Sequence, residues 1–211
     1  PVDAERVEAG LKDFIARKAD ARRVAIEKLV RLSGGASRET WSFDAEIETA
    51  EGVRREPMIF RCDPIPGVPS MPGRALEYHL IRAAMLQGAV VPEPCWDGDD
   101  TFDVKFFIMK RVPGEALGAR FIRGEQYARA REVLPRQLAE SLARIHTITR
   151  EAYPELAALP GPEPGVSPAL NEVKRYEEVF RATTPNAHPV FELVFRWLYR
   201  NMPPVEDVRF V

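Results

Sequence analysis

Residues 31–43, RLSGGASRETWSF, put Gly34, Gly35, Ala36 and Ser37 between two segments that alternate as β-strands. Upstream, EKLVRLSGG reads as a strand, and downstream ETWSFDAEIE alternates through Trp41, Phe43, Ala45 and Ile47, the period of a half-buried sheet. A glycine pair here serves a plain hairpin turn. It also suits a backbone loop that approaches phosphates, because glycine has no Cβ to hold a ligand away from the main-chain N–H groups. The rest of the chain has to decide between the two.

Working outward, residues 3–18 carry Val7, Leu11, Phe14 and Ile15 at helical spacing behind Asp3, which predicts a leading helix with Asp3 as N-cap. After the second strand, AEGVRRE turns the chain into a short apolar strand, PMIFRC (57–62). The proline-rich DPIPGVPSMPG (63–73) reads as an irregular connection and leads into a helix over about 73–87, closed near Gly88. VPEPCWDGDDTFDVKFFIMKRV predicts two strands joined by an Asp-Gly turn. From Gly114 the pattern is helical. Leu134, Leu138, Leu142 and Ile145 trace one face, Ser167-Pro168 opens a second helix, and Val190, Phe191, Val194, Phe195 and Leu198 mark a third. The expected architecture is α+β, with a small antiparallel sheet lobe over 1–112 and a mainly helical part over 113–211.

Composition narrows the function classes. The 211 residues carry a formal net charge of −2, with 45% hydrophobic and 29% charged residues. That balance gives no electrostatic reason to expect nucleic acid or an anionic membrane as partner. The start of the chain, PVDAERVEAG, lacks the apolar core of a signal peptide, and no apolar run approaches 18 residues. Cys62 and Cys95 have no metal-like spacing, so packing roles in a reducing cytoplasm are expected. His79 and His188 are isolated, and His146 reads as a packed helix residue.

One conflict inside this pattern points to chemistry. Leu80, Ile81 and Ala84 follow Glu77 by three, four and seven residues, so a carboxylate sits on the apolar face of the helix. Burying it is costly unless a cation meets it. Arg61, embedded in the apolar PMIFRC, is the nearest candidate, and the two oddities predict a pair.

With that pair between the third strand and the following helix, the chain resembles the aminoglycoside phosphotransferase-like family, whose fold is that of protein kinases. The resemblance rests on LSGGASRETW, a basic residue in FRCDP, Glu77 on the next helix, FFIMKRVPGE and the later LAESLARIHTI. It covers roughly residues 25–150 closely and the remainder loosely. It departs from protein kinases in having no G-x-G-x-x-G and in carrying arginine where they carry lysine. The resemblance implies that Gly34, Gly35 and Ser37 lie over nucleotide phosphates and that Arg61, held by Glu77, contacts them. It implies further that Met109 borders the base, while the backbones of Lys110 and Val112 bond its edge. The implied cofactors are ATP, with GTP as the other candidate donor, and Mg²⁺; the implied partner is a small molecule bearing a hydroxyl group.

The family's His-Gly-Asp loop, its asparagine five residues after the aspartate and its later metal-binding aspartate have no counterpart. Asn171, Asn186 and Asn201 follow Val166, Arg181 and Arg196 by five residues, and Asp13-Phe14 precedes the glycine loop. The sequence therefore reads as a fragment ending at PPVEDVRFV before the catalytic loop, with no catalytic base or metal ligand of its own. The base is expected beyond Val211, and Val208–Val211 read as a strand cut mid-course. The late apolar helical faces are expected to be exposed or covered by self-association. The competing expectations are a kinase-like module that binds nucleotide without turnover, and an α+β domain that binds none.

Overall fold

The computed structural model describes residues 3–32, 39–63, 73–114, 117–162, 166–205 and 208–210. Gly34, Gly35 and Ser37, and the connection 64–72, lie outside the described residues. So does Val211, the end of the expected strand and the point beyond which the base is expected. Residues 208–210, which precede it, carry no strand, so the strand expected over Val208–Val211 is corrected for the part that is described. The chain forms two compact units, Pro1–Ala157 and Ala158–Phe210.

In the first unit, helix α1 (Ala4–Ala19) precedes strands β1 (Arg23–Arg31), β2 (Glu39–Thr49) and β3 (Gly52–Cys62). Helix α2 (Arg74–Leu86), strands β4 (Pro94–Asp97) and β5 (Phe106–Lys110), and helices α3 (Gly118–Arg123) and α4 (Ala128–Ile145) follow. All strand pairs are antiparallel, in the order β1-β2-β3-β5-β4. The period-2 pattern read in β2 is the observed one: Trp41, Phe43, Ala45 and Ile47 are buried while the residues between them are half-buried.

This sheet has two dressed faces. Val7, Leu11, Phe14 and Ile15 of α1, each with no exposed surface, pack on the face carrying Phe43, Met58, Phe60, Phe106 and Ile108. The opposite face carries Ile59, Phe107 and Met109, covered by Tyr78 and Ile81 of α2. Alternation along β3 and β5 makes this possible, because side chains one residue apart point to opposite faces. Both strands are buried on two sides, which is why PMIFRC and FFIM read as continuous apolar runs rather than alternating ones.

Three further local expectations are corrected. β3 begins at Gly52, not at Pro57, and pairs with β2 along its whole length. Pro57 is tolerated because its carbonyl accepts from the Arg111 N–H at 2.9 Å, which turns its missing donor toward the end of the β3–β5 ladder. β4 and β5 are joined by residues 98–105, not by a tight Asp-Gly turn, and Phe102 and Val104 from this connection fill the α1-side core. Asp3 occupies the N-cap of α1 in extended conformation, but its side chain makes no capping bond. By contrast, Gly88 ends α2 at φ +77, and Ser167 accepts from the Leu170 N–H at 3.1 Å.

In the same unit, α4 attaches at the end of α2. Arg144 donates to the Gly88 carbonyl at 2.5 Å, Thr147 meets Gln87 at 3.0 Å, and Gln87 donates to the Tyr153 hydroxyl at 3.0 Å. The second unit holds α5 (Pro168–Thr183) and α6 (Pro189–Arg200), where Phe180 packs on Phe191 and on the buried Phe195. Val190, Leu193 and Trp197 of α6 are each at least 60% exposed.

Gly98 is the tightest point of the sheet edge. A Cβ there would lie 2.3 Å from the Phe106 carbonyl oxygen, with which the Gly98 N–H bonds at 3.0 Å. Gly98→Ala must therefore shift backbone, and chemical denaturation is expected to show a loss of about 1–3 kcal/mol. A variant as stable as the parent would contradict this packing.

Candidate functional site

Arg61 is the last outward-facing residue of β3. It stands opposite Thr40 of β2 and Phe107 of β5, on the sheet face that Ile59 and Met109 share. Its guanidinium lies 6.0 Å from the Phe107 ring centroid, and its Nη1 is 2.8 Å from Oε1 of Glu77. Glu77 reaches it from the first turn of α2, where a carboxylate also complements the helix N-terminus. Arg61 keeps 24% of its side chain exposed and Glu77 12%. The strand register and the docking of α2 thus build a half-sheltered cation at the end of the sheet face that α2 covers.

Two charged residues that the sequence reading missed complete this arrangement. Arg74, wholly buried at the start of α2, pairs with Oε2 of Glu77 and lies 3.4 Å from Asp63 at the end of β3. Asp63, Glu77, Arg61 and Arg74 therefore form a charge-balanced chain joining strand to helix. A signal was present: an arginine in the first turn of a helix opposes the macrodipole and needs anionic company.

At the far end of the same face, Arg111 donates to Ser42 Oγ at 2.8 Å and to Asp44 Oδ1 at 2.6 Å. Lys28 meets Asp44 at 3.0 Å from a β-bulge in β1, where Lys28 itself has φ 52. The hydrogen bond from Lys28, and then that from Arg111, hold the Asp44 carboxyl below its ordinary value of 3.8. Arg111 ties the segment after β5 to the β2 strand.

Met109 is buried under α2, beside Ile59 and Phe107. Lys110 donates its N–H to the Glu93 carbonyl at 2.8 Å, and Arg111 sends its own N–H the other way, to Pro57. The backbone edge of Lys110 therefore turns away from β3, with its amide already engaged, so a base could use only its carbonyl. Val112 is 63% exposed just beyond. The structure brings Arg61, Glu77 and Met109 to one face and sets Lys110 and Val112 at its rim. Gly34, Gly35 and Ser37, expected over the phosphates, lie outside the described residues.

A five-stranded antiparallel sheet, with a cation on the third strand held by a glutamate of the following helix, is consistent with a kinase-like α+β fold. The chain belongs to the phosphotransferase enzyme family, the aminoglycoside phosphotransferase-like group, whose profile matches residues 28–211. No curated relative matches it. Phosphotransferases of this kind generally use a nucleotide and Mg²⁺. The donor set suits the first: a guanidinium for phosphate and a backbone rim for a base edge. No group of three or more His, Cys, Asp or Glu side chains among the described residues could hold a metal ion. Among the described residues, no helix is long and apolar enough to cross a membrane.

Two outcomes are expected. Glu77→Ala removes the carboxylate shared by two arginines, one of them fully buried, and should cost on the order of 3 kcal/mol in chemical denaturation; a loss under about 1 kcal/mol would contradict the network. Asp44, with a lowered folded pKa, contributes stability above its ordinary 3.8 and loses it as pH falls through the folded value. The stability gap between the parent and Asp44→Asn should therefore shrink between about pH 6 and about pH 2. A gap that stays constant over that range would exclude the Lys28–Asp44–Arg111 linkage.

Proposed function

We propose that the chain is the nucleotide-binding part of an ATP-dependent phosphotransferase acting on a hydroxyl group of a small molecule. The observation that carries this reading is the 2.8 Å Arg61–Glu77 pair, built on the sheet face that also bears Met109 and ends at the Lys110–Val112 rim. ATP supplies the phosphoryl group. Arg61 binds the phosphates through charge-assisted bonds, and its planar fork offers two donors where a lysine offers a point charge. Glu77 fixes the direction of that fork. Gly34, Gly35 and Ser37 would offer main-chain N–H groups to the same phosphates, a role carried over from the family resemblance. Met109 bounds the base, the Lys110 carbonyl accepts from its edge, and the Val112 N–H donates to it.

Positioning and charge neutralisation are the contribution of these residues to the barrier. This reading assigns no catalytic base or metal ligand among the described residues. The second reading is a kinase-like module that binds nucleotide without turnover. Mg²⁺-dependent phosphate transfer by the full-length gene product, assayed against a panel of hydroxyl compounds, separates the two.

Nucleotide binding itself is tested by Arg61→Ala. Calorimetric titration is expected to show the ATP Kd raised at least about tenfold, the scale of one lost charge-assisted contact. An unchanged Kd in a folded variant would remove Arg61 from the site.

A further inference from the structure

Arg74 is the most buried charged residue in the described chain, and packing alone does not account for it. It has no exposed surface, stands where the helix field disfavours a cation, and spans from Asp63, the residue after β3, to Glu77 one turn along α2. A methionine of similar reach would fill the space without the cost of burying a charge. What Arg74 does, and an apolar residue could not, is occupy one oxygen of Glu77.

From this geometry we infer that Arg74 is a positioning residue for Arg61, setting how Glu77 presents that guanidinium to a phosphate-bearing ligand. The inference rests on the nucleotide reading above. A carboxylate facing one arginine turns to take it through both oxygens, fork against fork. Here Oε2 is engaged by Arg74, so Glu77 meets Arg61 through Oε1. Two effects follow. Glu77 offers Arg61 one oxygen instead of two, and its negative charge is divided between two cations, which leaves Arg61 the stronger attractor for an anion. Asp63 completes the balance: it neutralises Arg74 and anchors it to the strand that carries Arg61, so helix and strand move as one body at this point. The ring of Phe107 holds the other side of the Arg61 guanidinium. Arg74 touches no ligand in this scheme; it acts through Glu77.

The test is calorimetric titration of the full-length protein with ATP, ADP and adenosine, for the parent, Arg74→Lys, Arg74→Met and Arg61→Ala. Circular dichroism establishes which variants are folded, and Arg74→Lys, which keeps the buried charge but loses the two-sided fork, decides if Arg74→Met does not fold. The expected result is that ATP and ADP bind about five- to tenfold more weakly while adenosine changes less than about twofold, because the effect passes through a phosphate contact. Loss of adenosine in the same proportion as ATP would make Arg74 merely structural and overturn the inference. So would folded Arg74 variants with parental ATP affinity beside a weakened Arg61→Ala. Unchanged ATP affinity in Arg61→Ala would instead overturn the nucleotide reading itself, and the role of Arg74 with it.

Discussion

The carboxylate of Glu77, gripped from two sides by Arg61 and Arg74, is the constraint on which the rest of the first unit is arranged. A buried ion pair adds little net stability over an apolar pair, but removing one member is costly because the other is stranded. Such a network therefore fixes geometry more than it adds stability. It requires β3 to end with Arg61 facing α2 and Asp63 within reach of Arg74. It also requires α2 to dock with its first turn, not its middle, against that strand end. Once those demands are met, Tyr78 and Ile81 fall onto Ile59, Phe107 and Met109, and the second face of the sheet is covered.

The other face answers a different need. A helix on one side only would leave the α1 side of β2, β3 and β5 in water, so α1 supplies the second layer through four wholly buried apolar residues. An aromatic cluster lies on that side, with Phe14, Phe60, Phe102 and Phe106 in edge and tilted contact. The ionic side is more open. Arg61 at one end and the Lys28–Asp44–Arg111 cluster at the other bracket a polar strip along β2, from Thr40 to Asp44. Apolar packing thus sets the platform, and Arg61 and the Lys28–Asp44–Arg111 cluster place charge along the face where a phosphorylated ligand is proposed to lie.

Much of this was legible in the sequence because burial leaves periodic traces. The alternation of β2, the helical spacing in α1 and the order of elements were readable from apolar positions alone. The Arg61–Glu77 pairing was readable because each residue is a charge in an apolar pattern, and two such exceptions are cheapest when they meet. The length of β3 was not, since Pro57 reads as a strand start; only the sheet shows that its missing N–H falls at a ladder end. The connection 98–105 was misread because Asp97-Gly98 is a strong turn signal, while Phe102 and Val104 are drawn into the core by contacts with distant α1. The strand expected toward Val211 was misread for a related reason: a few apolar residues in a row satisfy the strand pattern without any neighbour to pair with. Arg74 and Arg111 were passed over on the same ground. A charged residue at a helix start or after a strand looks solvated until its partners, 63 and 77 or 42 and 44, are seen beside it.

The most direct measurement of the central claim is a crystal structure of the full-length protein with a non-hydrolysable ATP analogue. The Arg61 assignment predicts a guanidinium nitrogen within about 3.2 Å of a phosphate oxygen, with Glu77 still bridging Arg61 and Arg74. Phosphates held elsewhere, with Arg61 engaging only Glu77, would contradict it.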